Sequence, residues 1–259
     1  MTNQLNFTIA GKGKPILFLH GFCESLEVWK YLEPYISTKE QFIAIDLPGF
    51  GKSPLPKFHS DHEFSLVDVA DIIADFIKNE LEEPPLVIGH SLGGYITLAL
   101  AEQHPQLISG FALYQSTSLA DSEEKKEIRD KAVKFVQERG MEMLMPTFIP
   151  SLFAQENKER LKTDILEIIK TAQETSKETY IAYSIAMKNR NDYSNVLRNF
   201  SNTKAIIAGE HDPIIPIATS DHLASISTNI IYHKLKNTGH MGMIESPEAS
   251  SKIILNLTK

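Results

Sequence analysis

The sequence predicts an α/β fold, in which a mostly parallel sheet is covered by helices on both faces and carries a helical insertion between two of its strands. Three observations predict it. Short apolar runs recur along the first half of the 259-residue chain and again near its end. Stretches with apolar residues at helical spacing separate them. Between residues 121 and 200 no run reads as a buried strand.

In chain order, residues 5–9 and the Gly11-Lys12-Gly13 turn predict an antiparallel edge hairpin. Residues 15–19, 41–46, 86–89, 108–114, 203–209 and 229–235 are short and apolar. Such runs suit strands buried on both faces of a parallel sheet. Residues 64–80 place Leu66, Val67, Val69, Ala70, Ile73, Phe76 and Ile77 at three-to-four spacing, with acids elsewhere. Residues 92–104 form a short apolar helix that Pro105 ends. After Ser118 the pattern changes: residues 123–139 are charged and helical, and two more helical stretches follow at 158–176 and 180–189. Structureless loops of that length are rare, so the segment predicts a helical lid rather than a decorated crossover. The expected division is a core of residues 1–118 and 201–259 around an inserted cap at 119–200.

Composition narrows the function classes. The chain is 42% hydrophobic and 23% charged, as in ordinary globular proteins, with a net charge of -7. An acidic chain repels phosphate backbones, which argues against a nucleic-acid partner. The single cysteine, Cys23, has no partner for an internal disulfide. The opening MTNQLNFTIAGKGK lacks the basic-then-apolar pattern of a signal peptide, and no apolar run has the length of a membrane span. A cytoplasmic protein without membrane association is expected.

The chemistry concentrates in three loops. Gly89-His90-Ser91-Leu92-Gly93 fits G-x-S-x-G, directly after an apolar run and directly before a helix. That is the context of a nucleophile elbow, where a strained turn presents the serine hydroxyl. The residues two before and two after Ser91 must be small, and both are glycine. A serine hydroxyl needs a base to take its proton. Of nine histidines, His240 stands in a Gly-flanked loop, Asn237-Thr238-Gly239-His240-Met241-Gly242, just past the last apolar run. His90 must point away from Ser91 along the turn, His20 reads as a loop buttress, and His211 has no independent claim. The base needs an acid to fix its tautomer. Asp212 follows the fifth run in Gly209-Glu210-His211-Asp212-Pro213. An Asp before proline is often a turn former. Glu210 is the rival acid, but it lies nearer the strand, and residues 115–117 after the fourth run offer no carboxylate. The order Ser91, Asp212, His240 is the one that accompanies this motif.

An oxyanion hole needs two backbone donors, and the helix after Ser91 aims its positive dipole end there. The Leu92 amide supplies one. The loop His20-Gly21-Phe22-Cys23 supplies the other, with the Phe22 amide preferred and Cys23 second. Cys23 lacks a glycine-flanked turn, so packing at a pocket floor suits it better than nucleophilic chemistry. Asp46 to Ser53, DLPGFGKS, lacks the P-loop pattern and reads as a structural turn. No cluster of His, Cys and acids has metal-ligand spacing, so no metal or organic cofactor is expected.

Taken together, HGF, DLPGFGKS, GHSLGGY, GEHDP and the GH of NTGHMG resemble the α/β-hydrolase superfamily in order and spacing. The match runs from Pro15 to about Ser118 and from Thr203 to the end. The resemblance implies an eight-stranded sheet with a helical cap inserted after its sixth strand. Haloalkane dehalogenases and soluble epoxide hydrolases of this superfamily use an aspartate nucleophile, and the Ser91 of this chain argues against both. Capped carboxylesterases, lactonases, haloperoxidase-like enzymes and the menaquinone-biosynthesis lyase share the motifs seen here.

Substrate selection would fall to the inserted segment. Met141, Met145, Phe148 and Phe153 suit an adaptable apolar wall as well as packing within the cap. Cys23, Tyr114 and Met241 join them as candidate pocket residues. Hydrolysis of a small carboxylic ester or lactone through an acyl-enzyme is the leading expectation. A lyase or C–C bond hydrolase on the same three residues is the second; an arginine of the cap turned inward would favour it, by holding a substrate carboxylate. A receptor-like protein with very slow turnover is the third. The sequence does not indicate an oligomeric state.

Overall fold

The computed structural model describes residues 5–57 and 63–259. Each predicted apolar run forms a strand: β1 (Phe7–Ala10), β2 (Pro15–Leu19), β3 (Gln41–Ile45), β4 (Leu86–His90), β5 (Gly110–Tyr114), β6 (Thr203–Gly209) and β7 (Ile231–Leu235). They build a 7-stranded sheet in the order β1-β3-β2-β4-β5-β6-β7. From β2 to β7 all pairings are parallel, and only β1 runs antiparallel.

Two expectations need correction. β1 is the antiparallel edge strand, but it does not form a hairpin with β2. It pairs with β3, Phe7 opposite Ile45. The reason lies in β2, whose two edges are both taken by parallel partners, β3 and β4. The edges left open are the outer sides of β3 and β7, and β1 takes the one beside β3. The count of eight strands implied by the family resemblance also differs, since the described residues carry seven. Ahead of β1, Leu5 and Asn6 are not strand, although the Asn6 carbonyl still accepts the Asp46 N–H at 2.9 Å.

The helices are α1 (Glu33–Ile36), α2 (Leu66–Glu80), α3 (Leu92–Gln103), α4 (Glu123–Arg139), α5 (Met141–Ser151), α6 (Lys162–Gln173), α7 (Lys177–Lys188), α8 (Ser194–Asn199), α9 (Ile217–Ser225), α10 (Gly242–Glu245) and α11 (Pro247–Leu257). α2 begins at a capping box: the Ser65 Oγ accepts the Asp68 N–H at 3.3 Å, and Asp68 accepts the Ser65 N–H at 2.8 Å. Such a cap contributes about 1 kcal/mol. Five helices, α4 to α8, lie between β5 and β6, and no strand is described there. α5 escaped the sequence reading because Pro146 and Pro150 sit inside it.

Alternation along the buried strands divides the interior into two apolar layers. Leu17, Leu19, Val87, Phe111 and Leu113 face one side, where they meet Ile73 and Ile77 of α2 and Ile96 and Leu100 of α3. Ile16, Phe18, Ile88, Ala112 and Tyr114 face the other, with Trp29, Ile254 and the α5 residues Met145 and Ile149. α3 is buried on every side from Leu92 to Ala101, so it needs no polar face.

The start of α3 lies so close to the sheet that only glycine fits. A Cβ on Gly93 would fall inside contact distance of the Leu19 and His20 backbone oxygens, and one on Gly89 would meet the Gly93 carbonyl. Backbone oxygens fixed by a sheet cannot swing aside. Gly93→Ala is expected to destabilise the protein by about 1–3 kcal/mol through overpacking. Urea unfolding checks this, and a wild-type midpoint would mean that α3 can lift from β2 at no cost.

Candidate active site

The loops that follow β2, β4, β5, β6 and β7 all leave the same edge of the sheet, the carboxyl end of its parallel strands, where ligands bind in open α/β folds. Ser91 follows β4 and caps α3 with φ 48° and ψ -112°, a conformation that L-residues rarely adopt. Its amide donates to the Tyr114 carbonyl at 3.1 Å, and its carbonyl accepts from the Ser116 hydroxyl at 2.7 Å. Cys23 after β2 and Gln115 after β5 also have positive φ, 60° and 48°. Three neighbouring strands thus each end in a strained non-glycine residue. Strain of this kind costs about 1–3 kcal/mol per residue and persists where the surroundings impose it.

Asp212 and His240 meet. The His240 Nδ1 lies 2.8 Å from the Asp212 Oδ2, with both side chains buried. The other carboxylate oxygen, Oδ1, accepts the Ile214 and Ile215 amides at 2.8 and 2.9 Å. The carboxylate is therefore fixed before it engages the imidazole. Facing a carboxylate, Nδ1 donates the hydrogen bond, which fixes the orientation of the ring. The loops of the two residues are stitched together by the His211 N–H, which donates to the Thr238 carbonyl at 2.8 Å. The rival acid Glu210 is exposed, and its carboxylate accepts the Asn237 amide at 3.0 Å.

His90, the residue before Ser91, binds the loop that carries His240. The His90 ring points into the protein, away from Ser91, and lies 4.9 Å from the His240 ring. Its Nε2 is 2.9 Å from the His240 carbonyl oxygen, and its Nδ1 is 3.1 Å from the Glu24 Oε2. The same Oε2 accepts the Gly21 amide at 2.8 Å. Burial alone would lower the His90 pKa and raise that of Glu24. The mutual attraction of the two outweighs it, so His90 is raised above 6.5 and Glu24 lowered below 4.5. The stability that Glu24 contributes is present above 4.5 and lost as pH falls through its lowered value. The His90 share is present below 6.5 and lost as pH rises through its raised value. His20 differs. Its Nε2 accepts the Leu47 amide at 2.9 Å and its Nδ1 lies 2.8 Å from the Gly21 carbonyl, the pattern of a neutral ring, and burial lowers its pKa. The expected buttress role fits these bonds.

Further residues frame the His240 loop, and sequence reasoning did not find their roles. The Glu245 carboxylate accepts the Gly239, Met241 and Ala154 amides at 3.0, 3.1 and 2.9 Å, and the Asn157 side-chain amide at 2.7 Å. The Gln115 side chain donates to the Gly239 carbonyl and accepts the Gly242 amide at 2.8 Å. The Leu152 carbonyl accepts the His240 amide at 2.7 Å. Gln115 thus clamps the loop that carries His240. The only trace in the sequence was proximity: Glu24 and Gln115 follow strands that end at the site, and Glu245 follows His240 by one turn.

The apolar candidates form one body. Cys23, Tyr114, Met141, Met145, Phe153 and Met241 belong to a single buried cluster, with Phe22 and Phe148 packed against it. The Tyr114 hydroxyl is held by Ser250 at 2.7 Å and its ring faces Trp29, so it supports the elbow from below. Burial pushes the Cys23 thiol well above its usual range, and Glu24 adds to the effect, so a thiolate is disfavoured. Phe22 stacks near Tyr180 of α7, ring centroids 4.9 Å apart. The Gly21 amide is spent on Glu24, whereas Leu92 opens α3 and its amide has no acceptor within the helix. Asp46 is structural: its carboxylate accepts the Leu26 and Lys52 amides, at 2.8 and 2.9 Å. Among the described residues no group of three or more His, Cys, Asp or Glu could hold a metal ion. No helix among them is long and apolar enough to cross a membrane.

Three arginines of the inserted segment, Arg129, Arg160 and Arg190, are tied up. Arg129 and Arg190 share the buried Asp121, at 2.5 and 2.8 Å, and Arg190 also lies 4.0 Å over the Tyr95 ring. Arg160 donates to Asn157 and to the Glu245 carbonyl, both at 3.1 Å.

Known proteins share this fold. An esterase from Thermogutta terrifontis superposes with a TM-score of 0.89 at 24% identity, covering 97% of this chain and 92% of that one. The enol-lactonase from Burkholderia xenovorans LB400 gives 0.87 at 22% identity, covering 98% and 96%. At these identities the likeness shows the fold. Among curated proteins, the 2-hydroxy-6-oxo-6-(2'-aminophenyl)hexa-2,4-dienoic acid hydrolase of Metapseudomonas resinovorans is 24% identical over 95% of this chain and 84% of its own length. Other curated matches span from 22% to 89% of the relative's length. The family profile described as the alpha/beta hydrolase fold matches residues 14–247, from the start of β2 to the start of α11. With Ser91, Asp212 and His240 in the loops after β4, β6 and β7 inside that span, the chain belongs to the α/β-hydrolase fold family.

Proposed function

We propose that this chain is a serine hydrolase that cleaves a small, uncharged carboxylic ester or lactone. The observation that carries this reading is the buried 2.8 Å bond between His240 and Asp212, set beside the strained turn of Ser91. Ser91 attacks the carbonyl carbon while the His240 Nε2 takes its proton. The Leu92 and Phe22 amides receive the oxyanion. His240 then returns the proton to the leaving alcohol and activates the water that releases the acid. Asp212 stabilises the imidazolium formed in both steps.

Residues 119–200 act as a cap over residues 1–118 and 201–259 in this reading. Contacts from that segment to the site support it: Leu152 to His240, Asn157 to Glu245 and Tyr180 to Phe22. Met141, Met145, Phe148 and Phe153, with Cys23 and Met241, supply an apolar wall suited to an acyl or aromatic group of modest size.

Similarity to the dienoic acid hydrolase supports a C–C bond hydrolase as a second reading. A substrate bearing a carboxylate would need a free cationic partner, and Asp121 already balances Arg129 and Arg190. That balance favours the uncharged ester.

Purified protein is expected to hydrolyse p-nitrophenyl esters in a series from acetate to decanoate, with a chain-length optimum set by the apolar wall. Ser91→Ala is expected to lose about 10⁴-fold or more in kcat. Failure of a folded wild-type protein to exceed this variant, together with no labelling of Ser91 by a fluorophosphonate, would overturn the reading.

Asp212→Asn is expected to keep the fold and KM while kcat falls by about 10⁴-fold, because the amide favours the wrong imidazole tautomer. Steady-state kinetics on the best ester check this. Near-normal kcat in Asp212→Asn would mean that another carboxylate serves His240.

A further inference from the structure

We propose that His90 is held as a doubly protonated imidazolium and acts as a positioning residue, locking the oxyanion loop, the Ser91 turn and the His240 loop into one register through Glu24. Both ring nitrogens face oxygen atoms, the Glu24 Oε2 at 3.1 Å and the His240 carbonyl at 2.9 Å. A neutral imidazole has one N–H and one lone pair. It would set the lone pair against one of these oxygens. With two protons both contacts become hydrogen bonds, and Glu24 supplies the counter-charge.

The competing arrangement places the proton on Glu24, which then donates to a bare Nδ1. That oxygen also receives the Gly21 N–H at 2.8 Å, and accepting two donors suits a carboxylate. A separation of 3.1 Å is also long for an O–H donor. The other titratable groups around His90 come from every neighbouring element: His20 at the end of β2, Tyr114 of β5, Asp212 after β6 and His240 after β7. His20 is neutral by its hydrogen bonds, so it does not oppose a second cation. Asp212 adds negative charge on the same side.

The consequence is geometric. Glu24 holds the Gly21 amide of the loop that carries Phe22. His90 is the residue before Ser91. The His240 carbonyl is the third anchor. One buried ion pair thereby spans the three segments. An amide oxygen at position 24 could still accept both donors, but it carries no charge to balance the ring.

The activity arm of the test rests on the hydrolase reading above; the spectroscopic arm does not. In ring-¹⁵N-histidine-labelled wild-type protein at pH 8, one imidazole is expected to carry protons on both nitrogens, and His90→Gln removes that signal. A His90 with one bare nitrogen at this pH would overturn the proposal. In Glu24→Gln the doubly protonated signal is expected to vanish and the His240 ring resonances to shift. kcat toward the ester is expected to fall about 10–100-fold, with KM near wild type. Unchanged His240 resonances or an unchanged kcat in Glu24→Gln would overturn the positioning role. If that variant does not fold, the wild-type spectrum decides. An inactive wild-type protein overturns the hydrolase reading alone.

Discussion

The tight turn at Ser91 is the constraint on which the rest of the site depends. Its positive φ sends neighbouring side chains in opposite directions. Ser91 stays partly exposed at the strand end, and His90 is fully buried. The turn depends on the close approach of α3 to β2 and β4, with no Cβ at Gly89 or Gly93. A chain that lost this close approach would relax the strain. Ser91 would leave its place at the strand end, and His90 would leave Glu24 and the His240 carbonyl.

Polar groups buried at such a place must satisfy one another, because unpaired charge in the interior is costly. The site meets this demand in closed sets. Glu24 pairs with His90, Asp212 with His240, and Glu245 takes three backbone amides and the Asn157 side chain. Each carboxylate binds at least one backbone N–H as well as its main partner, so its position is set by the chain and not only by another side chain. Removing one member leaves a buried donor or acceptor without a partner. This is why groups that touch no substrate can still govern where the reacting atoms sit.

Much of this was legible in the sequence, for specific reasons. Strands buried on both faces are short apolar runs, and all six such runs became parallel strands, while the remaining run, at residues 5–9, became β1. The turn at Ser91 was readable because so close an approach of helix and strand demands glycine at fixed offsets on both sides. The meeting of Asp212 and His240 was readable because both lie in loops that follow strand ends. Other features left no local signal. The pairing of β1 with β3 depends on which sheet edges remain open, a property of the whole sheet. α5 was hidden by its two prolines, whose effect the surrounding contacts override. Glu24 and Glu245 look like any loop acid until the fold brings amides from distant segments to them. The arginine trio was equally unreadable, because Asp121 gives no sign in sequence that it binds two of its members.

The segment between β5 and β6 does more than join two strands. Leu152 follows the end of α5, yet its carbonyl holds the backbone amide of His240 at 2.7 Å. Two and five residues later, the Ala154 amide and the Asn157 side chain bind the carboxylate of Glu245, which itself grips the amides on either side of His240. The apolar wall at Met141, Met145 and Phe153 is built on the same stretch of chain. In the proposed reaction the part of the molecule that selects the substrate is therefore hydrogen-bonded to the loop that carries the base. A displacement of this stretch that widened the pocket would also pull on the His240 backbone, with the Gln115 clamp and the His90 bond resisting it from the sheet side. In that reading substrate fit and base position are coupled through the Leu152 carbonyl, the Ala154 amide and the Asn157 side chain, bonds that an exchange of apolar side chains in the wall leaves in place.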